Sequence, residues 1–153
     1  MKLLKVLLSV STFWTERIGP TAALKTLELM EKFKSWERIT YLGDQLRNGW
    51  INSAKNSKIE ISTYGIPALS TFVLNHTDSQ KFKTFLTHEF LKKGILASTI
   101  FYASTEHNEK IIVEYREIFE TIIIKINICI YGNNKIEHLI EGPISTSGFK
   151  RLN

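Results

Sequence analysis

The stretch KIEISTYGIPALSTFVLN, residues 58–75, decides the class of fold. Its first half, KIEISTYG, alternates apolar and polar residues with period two, as a half-buried strand does. Gly65 and Pro67 then mark a turn. ALSTFVLN resumes as a second strand, so the spacing predicts an antiparallel pair joined by Ile66-Pro67.

Upstream of this hairpin the period is helical. Pro20 followed by TAALKTLELMEKF predicts a helix with proline in its first turn, where a missing N–H costs nothing. Ala22, Ala23, Leu27 and Met30 supply an apolar side, Glu28 and Glu31 a polar one. Ser35 is expected to cap a second segment, SWERITYLGDQLRNGWINSAKN, in which Trp36, Ile39, Leu42, Leu46, Trp50 and Ile51 recur at three- and four-residue steps. The two segments read as one long, bent helical stretch.

Downstream, Ser79 starts SQKFKTFLTHEFLKKG, a helix closed by two lysines and Gly94, as the dipole and the left-handed cap favour. ILASTIFYAS reads as a third strand. Residues 108–131 carry both patterns. Ile111, Ile112, Tyr115, Ile118, Phe119, Ile122 and Ile126 fit a helix face, whereas IKINICI alternates like a strand; the length and Gly132 at the end favour helix. The predicted order is long helix, two strands, helix, strand, helix and irregular tail. Three strands backed by helices make a small α+β layer.

Composition bounds the rest. A chain of 153 residues makes one domain and buries roughly 70% of the surface its unfolded form exposes. Hydrophobic residues at 43% and charged residues at 23% are ordinary globular usage, which excludes a disordered chain. The opening MKLLKVLLSV has the lysines and apolar run of a secretory signal but no small-residue cleavage site after it. It falls far short of the about 20 apolar residues that span a bilayer. It reads as a buried strand or a ragged start, and the chain as cytoplasmic with no membrane partner. The net charge of +5 is scattered over lysines beside acids, with no stripe interleaved by aromatics, so no nucleic-acid partner is expected. The single cysteine, Cys129, excludes an internal disulfide and sits in an apolar stretch, as a core thiol does.

Residues for self-contained chemistry are sparse. His76, His88, His107 and His138 fall on different predicted elements; His88-Glu89 opens like a zinc HExxH motif, but Lys92 stands where the second histidine belongs. No metal is expected. Glu114, Glu117 and Glu120 beside Arg116 have the spacing of a solvated helix face. Ser145, Thr146, Ser147 and Gly148 have the composition of a phosphate nest but no helix after them. Two segments stand out as ligand or interface contacts: STFWTERIGPTAAL, whose hydroxyls and N–H groups precede a helix, and the tail GPISTSGFKRLN.

Those segments, with SWERI, LGDQLRNGW, GIPALSTF and the terminal EGPISTSGFKRLN, resemble the class III pyridoxal-phosphate (PLP)-dependent aminotransferases, in the branch similar to glutamate-semialdehyde aminomutase. The likeness runs from about Ser11 to the end of the chain. It implies the small C-terminal domain of the fold-type I PLP enzymes, a long connecting helix followed by a three-stranded antiparallel sheet covered by helices. Residues 1–18 would then end a large, cofactor-facing domain, 19–56 the connecting helices, and 57–153 the small domain. Thr12 matches the threonine that binds the cofactor phosphate of the neighbouring subunit in the homodimer, with Ser11 beside it. Members often carry Gly-Asn-Pro shortly after that threonine; Thr15-Glu16-Arg17 stands here, a variant in keeping with the aminomutase-like branch.

The resemblance also implies what this stretch lacks. The Schiff-base lysine, the aspartate at the pyridine nitrogen and an N-terminal phosphate-binding turn belong to segments upstream of the one matching Ser11 onward. No catalytic residue is therefore expected here, and no tight PLP binding by this chain alone. The implied function is a C-terminal piece of an amino-group-transferring enzyme. Its partners would be the large domain or a full-length homologue, and its dimer mate. A bare apolar patch of more than a few hundred Å² is expected where the large domain would pack. The alternative is a non-catalytic, partner-binding domain derived from the same fold.

Overall fold

Lys34 divides the helical stretch that precedes the hairpin. In the computed structural model, which describes residues 16–132 and 134–146, helix α1 spans Ile18–Phe33 and helix α2 spans Ser35–Asn56. Between them Lys34 adopts a left-handed conformation (φ 46°), its N–H donating to the Glu31 carbonyl. That cap is normally a glycine's, so the bend expected from sequence is a complete stop and restart. The Ser35 cap is not made. Ser35 is itself helical, and its buried hydroxyl has no hydrogen-bond partner among the described residues. The chain divides into two compact units, Met1–Trp36 and Glu37–Asn153. In the first, no residue of α1 is buried.

The second unit holds the sheet. Strands β1 (Ile61–Ile66), β2 (Leu69–Leu74) and β3 (Ile100–Tyr102) lie in the order β1-β2-β3, each pair antiparallel. Ile66 pairs with Leu69, so the turn is Pro67-Ala68, one residue later than the Ile66-Pro67 expected. Gly65 permits it: its φ is +84°, and a Cβ there would lie 2.2 Å from the Leu69 carbonyl oxygen. Of the ILASTIFYAS run only three residues are strand.

Helix α3 (Ser79–Lys92) ends as predicted, with basic Lys92 in its last turn and Gly94 at φ +75°. Residues 109–131 resolve the ambiguity in favour of helix: α4 spans Glu109–Tyr131, capped by the Asn108 side chain, which accepts from the Ile111 N–H. A short 3-10 turn, Ile136–His138, follows.

The core lies between one face of the sheet and the helices. Ser70, Phe72 and Leu74 point inward from β2 and are buried. Trp50 of α2 meets the Phe72 ring at 4.8 Å, and Phe72 meets Phe119 of α4 edge-on at 5.4 Å. Phe90 of α3 stacks on Tyr115 at 4.5 Å. Two glycines let α2 come close. A Cβ on Gly43 would sit 1.9 Å from the Pro67 carbonyl oxygen, and one on Gly49 would sit 2.7 Å from the Arg116 Nε. Helices α2 and α4 run in the same direction and are tied at both ends. At the start, Arg38 donates to Glu109 and to the His107 carbonyl; at the finish, Asn127 donates to the Ser57 carbonyl and Tyr131 to that of Lys58.

Candidate functional site

Ser11 and Thr12, the residues expected to meet a cofactor phosphate, lie outside the described residues, as do Ser147 and Gly148 of the tail. Among the described residues Cys129 stands between two clefts with charged linings. One, of about 460 Å³, is lined by His76, Asp78, Lys135 and Glu137; the other, of about 410 Å³, by Glu89, Lys92, Lys125, His138 and Glu141. Helix α4 places Cys129 and Lys125, helix α3 places Glu89 and Lys92, the loop between β2 and α3 supplies His76 and Asp78, and the segment after α4 supplies Lys135, Glu137, His138 and Glu141.

The second cleft is organised by one carboxylate. Glu89, with only 13% of its side chain exposed, accepts from Lys125 at 2.5 Å and from Lys92 at 2.9 Å, and Lys92 reaches on to Glu141 at 2.7 Å. Burial pushes the Glu89 carboxyl up, but the ammonium groups of Lys125 and Lys92 together outweigh it, and its pKa falls below the ordinary carboxylate value. Glu141 and then Glu89 raise Lys92. Beside the first cleft Lys81 pairs with its lining residues Asp78, at 2.6 Å, and Glu137, which lifts the lysine and lowers Glu137. Every one of these charges is met by its opposite, so the groups tie α3 to α4 and to the tail. None is poised as an acid or base. Burial raises the Cys129 thiol, with Glu137 adding to the effect, but the side chain is half-buried at the edge of the core and not inside it as the sequence suggests.

Two of the four histidines serve local structure, and the buried Nδ1 of a third, His88, has no hydrogen-bond partner among the described residues. The Nδ1 of His76 accepts from the Asp78 N–H, and that of His107 from the Ser104 N–H, while His107 stacks on Phe101 at 5.1 Å. No cluster of histidine, cysteine and acids with metal-holding geometry occurs among the described residues. Ser145, whose neighbourhood has the composition of a phosphate nest but no helix after it, has its groups engaged elsewhere. Its N–H donates to the Thr84 hydroxyl, the two hydroxyls lie 2.8 Å apart, and Gln80 donates to its carbonyl at 2.7 Å. This fastens the tail to α3 and takes Ser145 away from any anion. Glu114, Glu117 and Glu120 are exposed along α4, as a solvated face requires.

The Glu89 arrangement was missed from sequence. The only signal was Glu89 and Lys92 at helical i, i+3 spacing; Lys125 and Glu141 arrive from other elements.

The fold has a solved counterpart. The structure of the PLP internal aldimine form of the FumI protein of Sphingopyxis sp. MTA144 superposes with a TM-score of 0.68, at 16% identity, over 86% of this chain and 32% of that one. The shared fold is part of a PLP protein's. That agrees with the α+β class read from sequence, a three-stranded antiparallel sheet covered by helices. The chain spans about a third of that protein's length. No protein-family model matches it. No helix of the described residues is long and apolar enough to cross a membrane.

The described residues do not by themselves fit PLP. No described lysine is buried, and Lys81, Lys92 and Lys125 are held by carboxylates, so none of these three is placed as an unpaired amine in an enclosed pocket.

Proposed function

We propose that this chain is the small, C-terminal domain of a PLP-dependent enzyme that transfers amino groups, of the class III kind and the glutamate-semialdehyde aminomutase-like branch, acting as a cytoplasmic homodimer. The observation that carries the proposal is the fold shared with a third of a PLP protein. The cofactor supplies an electron sink for a carbanion at the substrate Cα; protein groups hold and orient it. Thr12, with Ser11 beside it, would grip the cofactor phosphate of the neighbouring subunit. Residues 1–18 would close the large domain, 19–56 connect the two, and 57–153 cover the substrate side. By itself the chain would not catalyse, and its partner would be the lysine-bearing large domain or a full-length homologue.

Sequencing the DNA upstream of the Met1 codon in all three frames tests this. The expected outcome is a large-domain segment with its cofactor lysine, in frame or one frameshift away. The joined product should retain PLP through gel filtration. In it Thr12→Val should weaken retention by roughly tenfold or more, the worth of a hydrogen bond to a charged group. Absence of any such segment, or a joined product that holds no PLP, would overturn the reading. The exposed apolar side chains Tyr64, Ile66, Leu69 and Val73 fit the large domain of this reading as well as the partner of the alternative, a non-catalytic, partner-binding domain.

A further inference from the structure

The segment after α4 runs out along α3 and comes back. Ile136 is buried in the core, and Glu137 beside it pairs with Lys81 in the first turn of α3. Glu141 then reaches Lys92, in the last turn of α3, at 2.7 Å. Gly142, at φ +114°, turns the chain. Ser145 is again at the start of α3, bonded to Gln80 and Thr84. Residues 137–145 thus form a closed loop of the Ω kind, with both ends at one end of α3 and the tip at the other.

The loop is fastened unevenly. Its two ends are held by a buried isoleucine and by the hydrogen bonds of Ser145. Around the tip, Ile140 rests part-buried against the core, while Leu139, Glu141 and Ile144 are exposed. Among the described residues, 140–144 make no backbone hydrogen bond. The polar tie of the tip is Glu141 to Lys92, whose side chains are 74% and 45% exposed. Such a pair is worth little, and salt screens it. Lys92 also holds Glu89 at 2.9 Å, so releasing Glu141 leaves that ammonium paired. Beneath the tip lies the second cleft, with Leu139 and Glu141 on one side and Glu89, Lys125 and Cys129 among the rest of its lining.

We propose that residues 139–144 are a lid over this cleft, latched by Glu141 on Lys92, and that opening the lid uncovers the Cys129 thiol. Local opening draws on the segments with the fewest buried contacts and backbone hydrogen bonds, and the tip is such a segment between two fixed ends. The inference does not depend on the cofactor reading.

Cys129 is the single cysteine of the chain, so its reaction with N-ethylmaleimide reports the lid directly. The test follows that rate in the full 153-residue chain as potassium chloride rises from about 0.01 M to about 1 M, which shortens the screening length from about 30 Å to about 3 Å. The rate should rise by about two- to fivefold, the worth of an exposed ion pair. Glu141→Gln should give the same rise at low salt and remove most of the salt dependence, with the far-UV circular dichroism of the parent. Its pH–rate profile should be lifted as a whole, with the midpoint unmoved. Gly142→Ala, which disfavours the turn without touching a charge, should also speed the reaction; Glu114→Gln, on the solvated face of α4, should not. A rate indifferent to salt and to Glu141→Gln would overturn the proposal. So would a rise in that variant that comes only from a shifted midpoint, which reports the ionisation of the thiol and not its cover. A parent thiol that already reacts as fast as in the urea-unfolded chain has no lid, and overturns it too.

Discussion

Gly43 is the residue at which sequence and packing bear on each other most directly. Its missing Cβ is where the Pro67 carbonyl sits, 1.9 Å from the position a methyl would take. The obstacle is backbone at a tight turn, so it cannot swing aside as a side chain would. Gly43→Ala should destabilise the fold by about 3 kcal/mol, read as a fall in the urea midpoint at constant slope. Glu109 gives the second residue-scale prediction. The Arg38 guanidinium beside it holds its carboxyl down at about 2, from an ordinary 4.5. A folded pKa below the unfolded one means the contribution is complete above about pH 4.5 and is lost as pH falls toward 2. The pair is exposed, so the effect is small. Melting temperature followed from pH 6 to pH 2 should drop less steeply in Glu109→Gln than in the parent.

At the scale of the element, α4 depends on its cap and α2 on its aromatic contact. Asn108→Ala removes the acceptor for the Ile111 N–H and should cost about 1 kcal/mol in chemical unfolding. Phe72→Ala, which empties the space between Trp50 and Phe119, should cost about 4 kcal/mol. Most elements were legible beforehand because their periods are strong: the hairpin, α3 and its end at Gly94 follow from local chemistry. The misses have local causes too. Lys34 in a left-handed conformation breaks a helix without the glycine that signals such a break, so the pattern ran through it. Ser35 has the side chain of a cap but lies one residue inside the helix. β3 is short because only three residues of its apolar run find β2 opposite them.

For the whole molecule, every residue of the hydrophobic core falls between Leu42 and Ile136. A chain starting at Glu37 should therefore fold with a single cooperative transition and the parent's aromatic signature in near-UV circular dichroism; a non-cooperative melt would show that the core is incomplete without the first unit. The candidate site was less legible than the fold. Ser11 and Thr12 were singled out by the likeness of whole segments, and they lie outside the described residues. The Glu89 cluster joins α3, α4 and the tail, and no spacing along the chain encodes the meeting of side chains from three elements.

The ties at both ends of α2 and α4 have a consequence for time as well as for stability. They join residues 69 to 73 positions apart, whereas the hairpin closes over a few. Forming the hairpin closes a short loop; seating α4 closes a long one and waits on it. Contacts made after the barrier slow departure from the native state without hastening arrival. Arg38→Ala and Tyr131→Phe should accordingly speed unfolding in stopped-flow experiments and leave the refolding rate nearly unchanged, so that these ties act as latches on a structure already assembled.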